Sequence, residues 1–284
     1  MLNTLFFLDS NDPSFSDYHR ANYTCNKNWA QIRILLNSGA RNAAIKIATK
    51  TLGVAEIYRF SDIILNCSRI LMNNASLNGD DKEYEVYAAL TNNALRDVEY
   101  EIRAEEMYQR LTINFALSAS STAELAQTAD KNLEAVNKLC EQSNSYQLHY
   151  MKYQIRIMVA QIKGQYLQTI KVCEEAEQYL NDNPNFNQKV KLANLALIKI
   201  SSYLQLRDYE NGRMNAEKCL ELVAEGSNNW FIFLEYYFLL AMHTENYINA
   251  AGIFIKVINH PRFVYTSDER KEKWKIFESY INYI

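Results

Sequence analysis

Four histidines are the side chains of this 284-residue chain best suited to metal binding or general-base chemistry. They stand at His19, His149, His243 and His260. None belongs to a His-Glu-x-x-His motif or to a His/Cys cluster with zinc-ligand spacing. We therefore interpret His149 and His243 as ordinary helix residues, and we expect no metal site.

An acidic cluster is the second group with the residue types of a catalytic site. It comprises Glu101, Glu105 and Glu106. Di-iron helix bundles combine such glutamates with Glu-x-x-His motifs, which this chain lacks. It also lacks a phosphate-binding Walker loop, a GxGxxG fingerprint and a GxSxG nucleophile motif. The acidic cluster is then best interpreted as a solvated helix face, and we expect neither enzyme activity nor a cofactor.

The five cysteines indicate reduced thiols. They stand at Cys25, Cys67, Cys140, Cys173 and Cys219, and no CxxC pair occurs. Cys173 and Cys219 fall on predicted buried helix faces, where a free thiol behaves as a small apolar group. Scattered free thiols are typical of a reducing compartment, so we expect a cytoplasmic protein.

Charge and hydropathy narrow the class of partner. The net charge is −3 and the pI is near 5.9, which argues against a basic nucleic-acid footprint. The basic run 270–275 alternates with Glu269 and Glu272, so a solvated helix face is expected there. The most apolar run, 230–242, contains Glu235 and is too short to span a bilayer. We expect neither nucleic-acid nor membrane binding.

One residue spacing recurs three times in the second half of the chain. Each series begins with tyrosine, and small or apolar residues follow at steps of three and four. The three series are Tyr166, Thr169, Ile170, Cys173 and Ala176; Tyr209, Gly212, Arg213, Ala216 and Cys219; and Tyr247, Ala250, Ala251, Phe254 and Val257. Residues three and four apart share one face of a helix, so the spacing predicts three amphipathic helices.

Each of these predicted helices follows another helix with its own apolar stripe. The stripes are Tyr153, Ile157 and Ala160; Ala196, Ile200 and Tyr203; and Leu234, Phe238 and Ala241. The joints 163–165, 206–208 and 244–246 are short and polar. Short joints force neighbouring helices to run antiparallel, so three helical hairpins are predicted.

This pattern resembles the tetratricopeptide repeat family over residues 145 to about 261. The resemblance implies an all-α fold built as a right-handed superhelix, or α-solenoid, of antiparallel helix pairs. The chain departs from the family pattern in three ways. The Leu-Gly pair of the first helix is missing, Gly212 replaces the usual alanine, and the register steps by roughly 38 to 43 residues instead of ~34.

The expected organisation has three parts: a tail over 1–15, divergent helical hairpins over 16–144, and the repeats with a terminal helix over 145–284. One continuous solenoid is the alternative. Within the first half we predict helices over 17–36, 43–53, 54–75, 82–117 and 122–141, with a loop over 73–81. Asp80 or Asp81 is the predicted N-cap of the long helix, because its carboxylate can accept from a free backbone N–H.

The resemblance also implies a binding groove, because the first helices of such arrays line the concave face. The corresponding positions are Met151, Gln154, Met158, Gln161, Asn194, Leu197, Ser201, Leu204, Gln205, Glu235, Leu239, Met242 and His243. Methionine repacks around varied partners, and asparagine or glutamine can bond a peptide backbone in both senses. The alternative is that Leu197, Leu204 and Leu239 pack against adjacent helices as core.

We therefore expect a non-catalytic scaffold that binds a protein or peptide on its concave face. The alternative is a ligand- or peptide-sensing regulator with an N-terminal helical effector region, suggested by the charge-dense helix 82–117. The last segment, 267–284, carries an apolar stripe and no C-cap signal. We expect either that the native chain continues beyond Ile284 or that this helix forms a homo-oligomer contact.

Overall fold

The computed structural model describes residues 16–117 and 122–283, so the predicted tail 1–15 lies outside the described residues. In the described ranges the chain forms twelve α-helices and one short 3₁₀ helix, with no β-strand. The helices are α1 Asp17–Asn37, α2 Arg41–Tyr58, α3 Ser61–Asn78, α4 Asp81–Leu117, α5 Thr122–Cys140, α6 Tyr146–Ile162, α7 Tyr166–Asp182, α8 Lys189–Leu206, α9 Tyr209–Cys219, α10 Asn228–His243, α11 Tyr247–Ile258, the 3₁₀ helix Phe263–Tyr265, and α12 Asp268–Tyr283. The predicted all-α class is confirmed for these residues, while the superhelical arrangement stays a prediction.

The chain divides into two compact units. The first contains the described residues up to Val159 together with Leu180–Asn187, and the second contains Ala160–Tyr179 and the residues from Gln188 on. In the first unit α1, α2, α3 and α4 each pack against the helix that follows, and α1 also touches α3. In the second unit α8 to α12 pack in the same sequential way, and α8 also touches α10. The predicted boundary between 144 and 145 stays a prediction.

Six of the interhelical joints share one turn. In each joint a residue in the left-handed backbone region is followed by a single residue, and the next helix then begins. The left-handed residues are Gly39, Arg59, Gly79, Gly164, Arg207 and Glu245. The N–H of the residue after each one donates to the carbonyl five positions earlier, over 2.8 to 3.0 Å. This is the Schellman arrangement, which satisfies the last carbonyls of one helix and turns the chain sharply.

The helix ends predicted at these turns were partly right. The joints after α6, α8 and α10 lie where the sequence predicted them. The predicted stop near Gly53 was wrong, because α2 continues to Tyr58 and the left-handed residue is Arg59. The predicted loop over 73–81 was also wrong, because α3 continues to Asn78. The N-cap prediction is confirmed at Asp80, whose Oδ1 accepts from the Glu83 N–H at 3.0 Å.

The predicted repeat faces form much of the packed interior. The buried members are Thr169, Ile170, Cys173, Ala176, Gly212, Ala216, Cys219, Ala250, Phe254 and Val257. Two leading tyrosines, Tyr166 and Tyr209, are half-buried, whereas Tyr247 is 40% exposed. The second unit also has an aromatic cluster. The Phe238 ring stacks on the Phe277 ring with 4.4 Å between their centroids, and it contacts the Trp274 ring edge-on. Helix α12 is therefore held by apolar packing.

Gly212 departs from the family pattern for a steric reason. A Cβ atom at this position would lie 2.7 Å from Leu240 Cδ2 and 3.3 Å from Tyr203 Cβ. Leu240 is fully buried in the core of the second unit, so it has little room to move. Glycine therefore lets α9 approach α10 more closely than alanine would allow.

Candidate binding surfaces

The predicted groove residues on α8 present one mixed strip. Leu197 is buried, Ser201 and Leu204 are half-buried, and Asn194 and Gln205 are exposed. The Asn194 Oδ1 accepts from Asn229 Nδ2 at 2.8 Å, so this amide is already engaged at the start of α10. The strip offers amide and apolar side chains together.

The predicted groove residues on α10 differ in exposure. Leu239 and Met242 are half-buried and, like Leu204, pack against the buried core of the second unit. His243 is exposed, but its ring stacks on Tyr209 at 4.4 Å with an interplanar angle of 3°. Since α8 touches α10, these side chains border a common surface. The histidine serves as a packing residue, and among the described residues it belongs to no group of three His, Cys, Asp or Glu side chains that could hold a metal ion.

Glu235 lies in the interior and is already neutralised. It is 5% exposed, and its carboxylate accepts from Arg270 Nε at 2.6 Å and from Lys273 Nζ at 2.7 Å. Arg270 also donates to Asn228 Oδ1 at 2.8 Å. The interpretation of the run 270–275 as a solvated face was therefore wrong for Arg270 and incomplete for Lys273. These cations compensate a buried charge and tie α12 to α10.

The predicted groove residues on α6 are mostly interior. Met151 and Met158 are buried, and Gln154 and Gln161 are half-buried. The Gln154 Nε2 is enclosed without a hydrogen-bond partner. Gln161 belongs to the second unit, whereas the other three residues belong to the first. Of the predicted list, Leu204, Leu239 and Met242 pack against one core and lie on the touching helices α8 and α10, and the groove as a whole stays a prediction.

A buried polar cluster joins α3, α4 and the turn after α5 in the first unit. The Glu101 carboxylate accepts from the Ser61 hydroxyl at 2.7 Å and from the Ser145 hydroxyl. Ser143 donates to Asp97 Oδ1 at 2.6 Å. Burial raises the pKa of Glu101, although both serine hydrogen bonds oppose that shift. The expectation of a solvated acidic face was therefore wrong for Glu101 and right for its exposed neighbours on the same helix.

This polar cluster has the geometry of a structural network. The His149 Nε2 lies 3.0 Å from the Ser143 carbonyl oxygen, so the imidazole is not positioned to deprotonate the Ser143 hydroxyl. Burial lowers the pKa of His149. A cavity of about 260 Å³ adjoins the cluster, lined by residues that include Arg59 and Arg96. The serine and carboxylate side chains satisfy one another and fix the turn to α4.

A second cavity of the first unit was missed from the sequence. It measures about 480 Å³ and lies between α1, α3 and the start of α4. Its lining comprises Trp29, Arg33, Asn66, Arg69, Ile70, Met72, Asn73, Ser76 and Tyr84, with no acidic residue. We call it the arginine pocket. The available signal was the four-residue spacing of Trp29 and Arg33 on one face of α1, but one helix could not show what faces it.

Comparison with known proteins assigns this chain to no family. No protein-family model matches the chain, and no curated protein matches it in sequence. Among the described residues, no helix combines the length and the apolar character needed to cross a bilayer. In the same part of the chain, no three His, Cys, Asp or Glu side chains are grouped to hold a metal ion. The tetratricopeptide resemblance stays a prediction that rests on the residue pattern.

Proposed function

We propose that this protein is a non-catalytic scaffold of tetratricopeptide-like hairpins, and that it binds a protein or peptide on the surface bordered by α8 and α10. The observation that carries the proposal is the combination on these helices of half-buried apolar side chains, Leu204, Leu239 and Met242, with the exposed amide of Gln205. Such a surface gives a peptide both apolar contact and backbone hydrogen bonds. The free thiols, of which all but the half-buried Cys140 are buried, support a cytoplasmic location as part of the same proposal.

Peptide display against the intact chain tests this surface. Peptides selected on the wild type should bind the Gln205→Arg and Met242→Arg variants at least tenfold more weakly, because a bulky cation replaces an amide or apolar contact. Met214→Arg is the matched control, since Met214 lies on α9 and is 46% exposed. If the selected peptides bind both groove variants as tightly as the control, the surface is not the binding site.

The alternative function is a ligand-sensing regulator whose N-terminal helices act on a target. The long α4 supports this alternative, because its outer face carries the exposed ion pairs Glu99–Arg103 and Glu106–Arg110. A regulator should transmit binding to α4, so ligand addition should change hydrogen exchange over 95–117. Unchanged exchange in the presence of a saturating ligand would contradict it.

A further inference from the structure

The arginine pocket carries two cations that the protein does not neutralise. Arg33 and Arg69 are exposed, and neither has an ion-pair or hydrogen-bond partner among the described residues. No carboxylate lines the pocket, and Asp80, four residues from Ser76 and from Tyr84 of the lining, already caps α4 by accepting from the Glu83 N–H. Two unpaired guanidinium groups around one concavity attract an anion, because each offers several donors in a fixed plane.

The remaining walls of the pocket favour an organic anion over a bare inorganic one. The Arg33 guanidinium lies 5.7 Å from the centroid of the Trp29 ring, which restrains its orientation. Ile70 and Met72 provide an apolar wall, and the amides of Asn66 and Asn73 are without a protein partner in the described part of the chain. The lining thus combines apolar side chains with convergent polar groups, and about 480 Å³ falls within the usual size of small-ligand sites.

We propose that the arginine pocket binds a small organic anion, with its carboxylate or phosphate group between Arg33 and Arg69 and a planar or apolar body against Trp29 and Ile70. The site lies wholly in the first unit. It goes beyond the proposed function, because it is separate from the peptide-binding surface of α8 and α10 and requires no peptide.

Four probes separate the contributions of charge and ring. Benzoate and phenyl phosphate carry both features, benzamide keeps the ring without the charge, and inorganic phosphate keeps the charge without the ring. Each is titrated into the full chain, and the indole N–H of Trp29 and the arginine Nε–H signals are followed by NMR. We expect saturable binding of benzoate and phenyl phosphate, and at least tenfold weaker binding of benzamide and inorganic phosphate. Whichever of benzoate and phenyl phosphate binds with the higher affinity shows whether the pocket prefers a carboxylate or a phosphate group. Either preference supports the site.

Variants then place the anion. Arg33→Gln and Arg69→Gln should each weaken the better aromatic anion at least tenfold, because each removes charge-assisted hydrogen bonds. Both side chains are exposed, so the variants should fold, which circular dichroism verifies. Arg262→Gln is the control, since it removes an exposed arginine of the second unit and should leave affinity unchanged. The proposal is overturned if no probe saturates at millimolar concentration, if benzamide binds as tightly as benzoate, or if the two arginine variants bind like the control.

Discussion

Glu101 shows how one half-buried carboxylate makes folding stability depend on pH. Its pKa is raised above the ordinary value of 4.5, chiefly by burial, with Asp97 and Asp62 adding repulsion. The folded protein therefore keeps a proton that the unfolded chain loses as the pH rises above about 4.5. Ionised Glu101 thus disfavours the folded state at neutral pH, and this cost disappears as the pH falls towards 4.5.

Glu101→Gln should consequently raise the free energy of unfolding at pH 7. The neutral amide oxygen can still accept from Ser61 and Ser145, and no charge is buried. The difference from the wild type should shrink as the pH is lowered towards 4.5, measured by urea denaturation at several pH values. Glu105→Gln is the control, because Glu105 is exposed on the same helix. A variant less stable than the wild type at pH 7, or a difference independent of pH, would show that the serines require the ionised carboxylate.

Single residues were predictable from the sequence where a helix period determines burial. Cys173 and Cys219 are buried as predicted, and burial raises the pKa of their thiols to about 12 and about 11. The period could not reveal that Glu235 is compensated by Arg270, since the two residues lie on different helices. Pairing across helices depends on tertiary packing, which local spacing does not contain.

At the scale of the helices, the turn shared by six interhelical joints was not predicted from the sequence. Gly39, Gly79 and Gly164 mark it with the residue that best tolerates a left-handed backbone. Arg59 occupies the same conformation without that signal, so the end predicted for α2 near Gly53 was too early. Helix existence and the joints of the second half, including those at Arg207 and Glu245, were predictable from apolar periodicity and short polar stretches. The end of α2 at Arg59 was not, because no glycine or polar run marks it.

Arg207→Gly should stabilise the second unit by relieving that strain. Arg207 has a φ of 57°, a conformation that costs a side chain about 1 to 2 kcal/mol and costs glycine little. We expect the free energy of unfolding to rise by about 1 kcal/mol, as seen in urea denaturation. Arg213→Gly is the matched control, since it places glycine inside α9 and should lower stability by a similar amount. If both substitutions lowered stability equally, the entropy that glycine adds to the unfolded chain would exceed the strain that it relieves at the turn.

At the scale of the whole molecule, two exposed apolar stripes lie on neighbouring helices of the second unit. One lies on α11, where Ile248 and Ile255 are 90% and 55% exposed. The other lies on α12, where Ile276, Tyr280 and Tyr283 are 53%, 48% and 93% exposed. The buried Trp274 and Phe277 lie on a different side of α12 from that stripe. Neighbouring helices that expose apolar stripes are typical of a protein interface.

The sequence predicted a homo-oligomer contact on 267–284, but Trp274, Phe277 and Ile281 of the apolar stripe behind that prediction pack in or against the core of the second unit. We propose that a second copy of the chain covers the exposed stripes instead. Sedimentation velocity from about 1 to 100 µM should then show a mass rising from 33.1 kDa towards twice that value. Ile276→Glu and Tyr280→Glu should each keep the protein monomeric, because a dimer would have to bury the new carboxylate. Leu167→Glu is the control, since Leu167 is an isolated exposed apolar residue on α7, 72% accessible, and its variant should still associate. A wild type that stays at the monomer mass throughout, or glutamate variants that dimerise as the control does, would assign the stripes to a different partner.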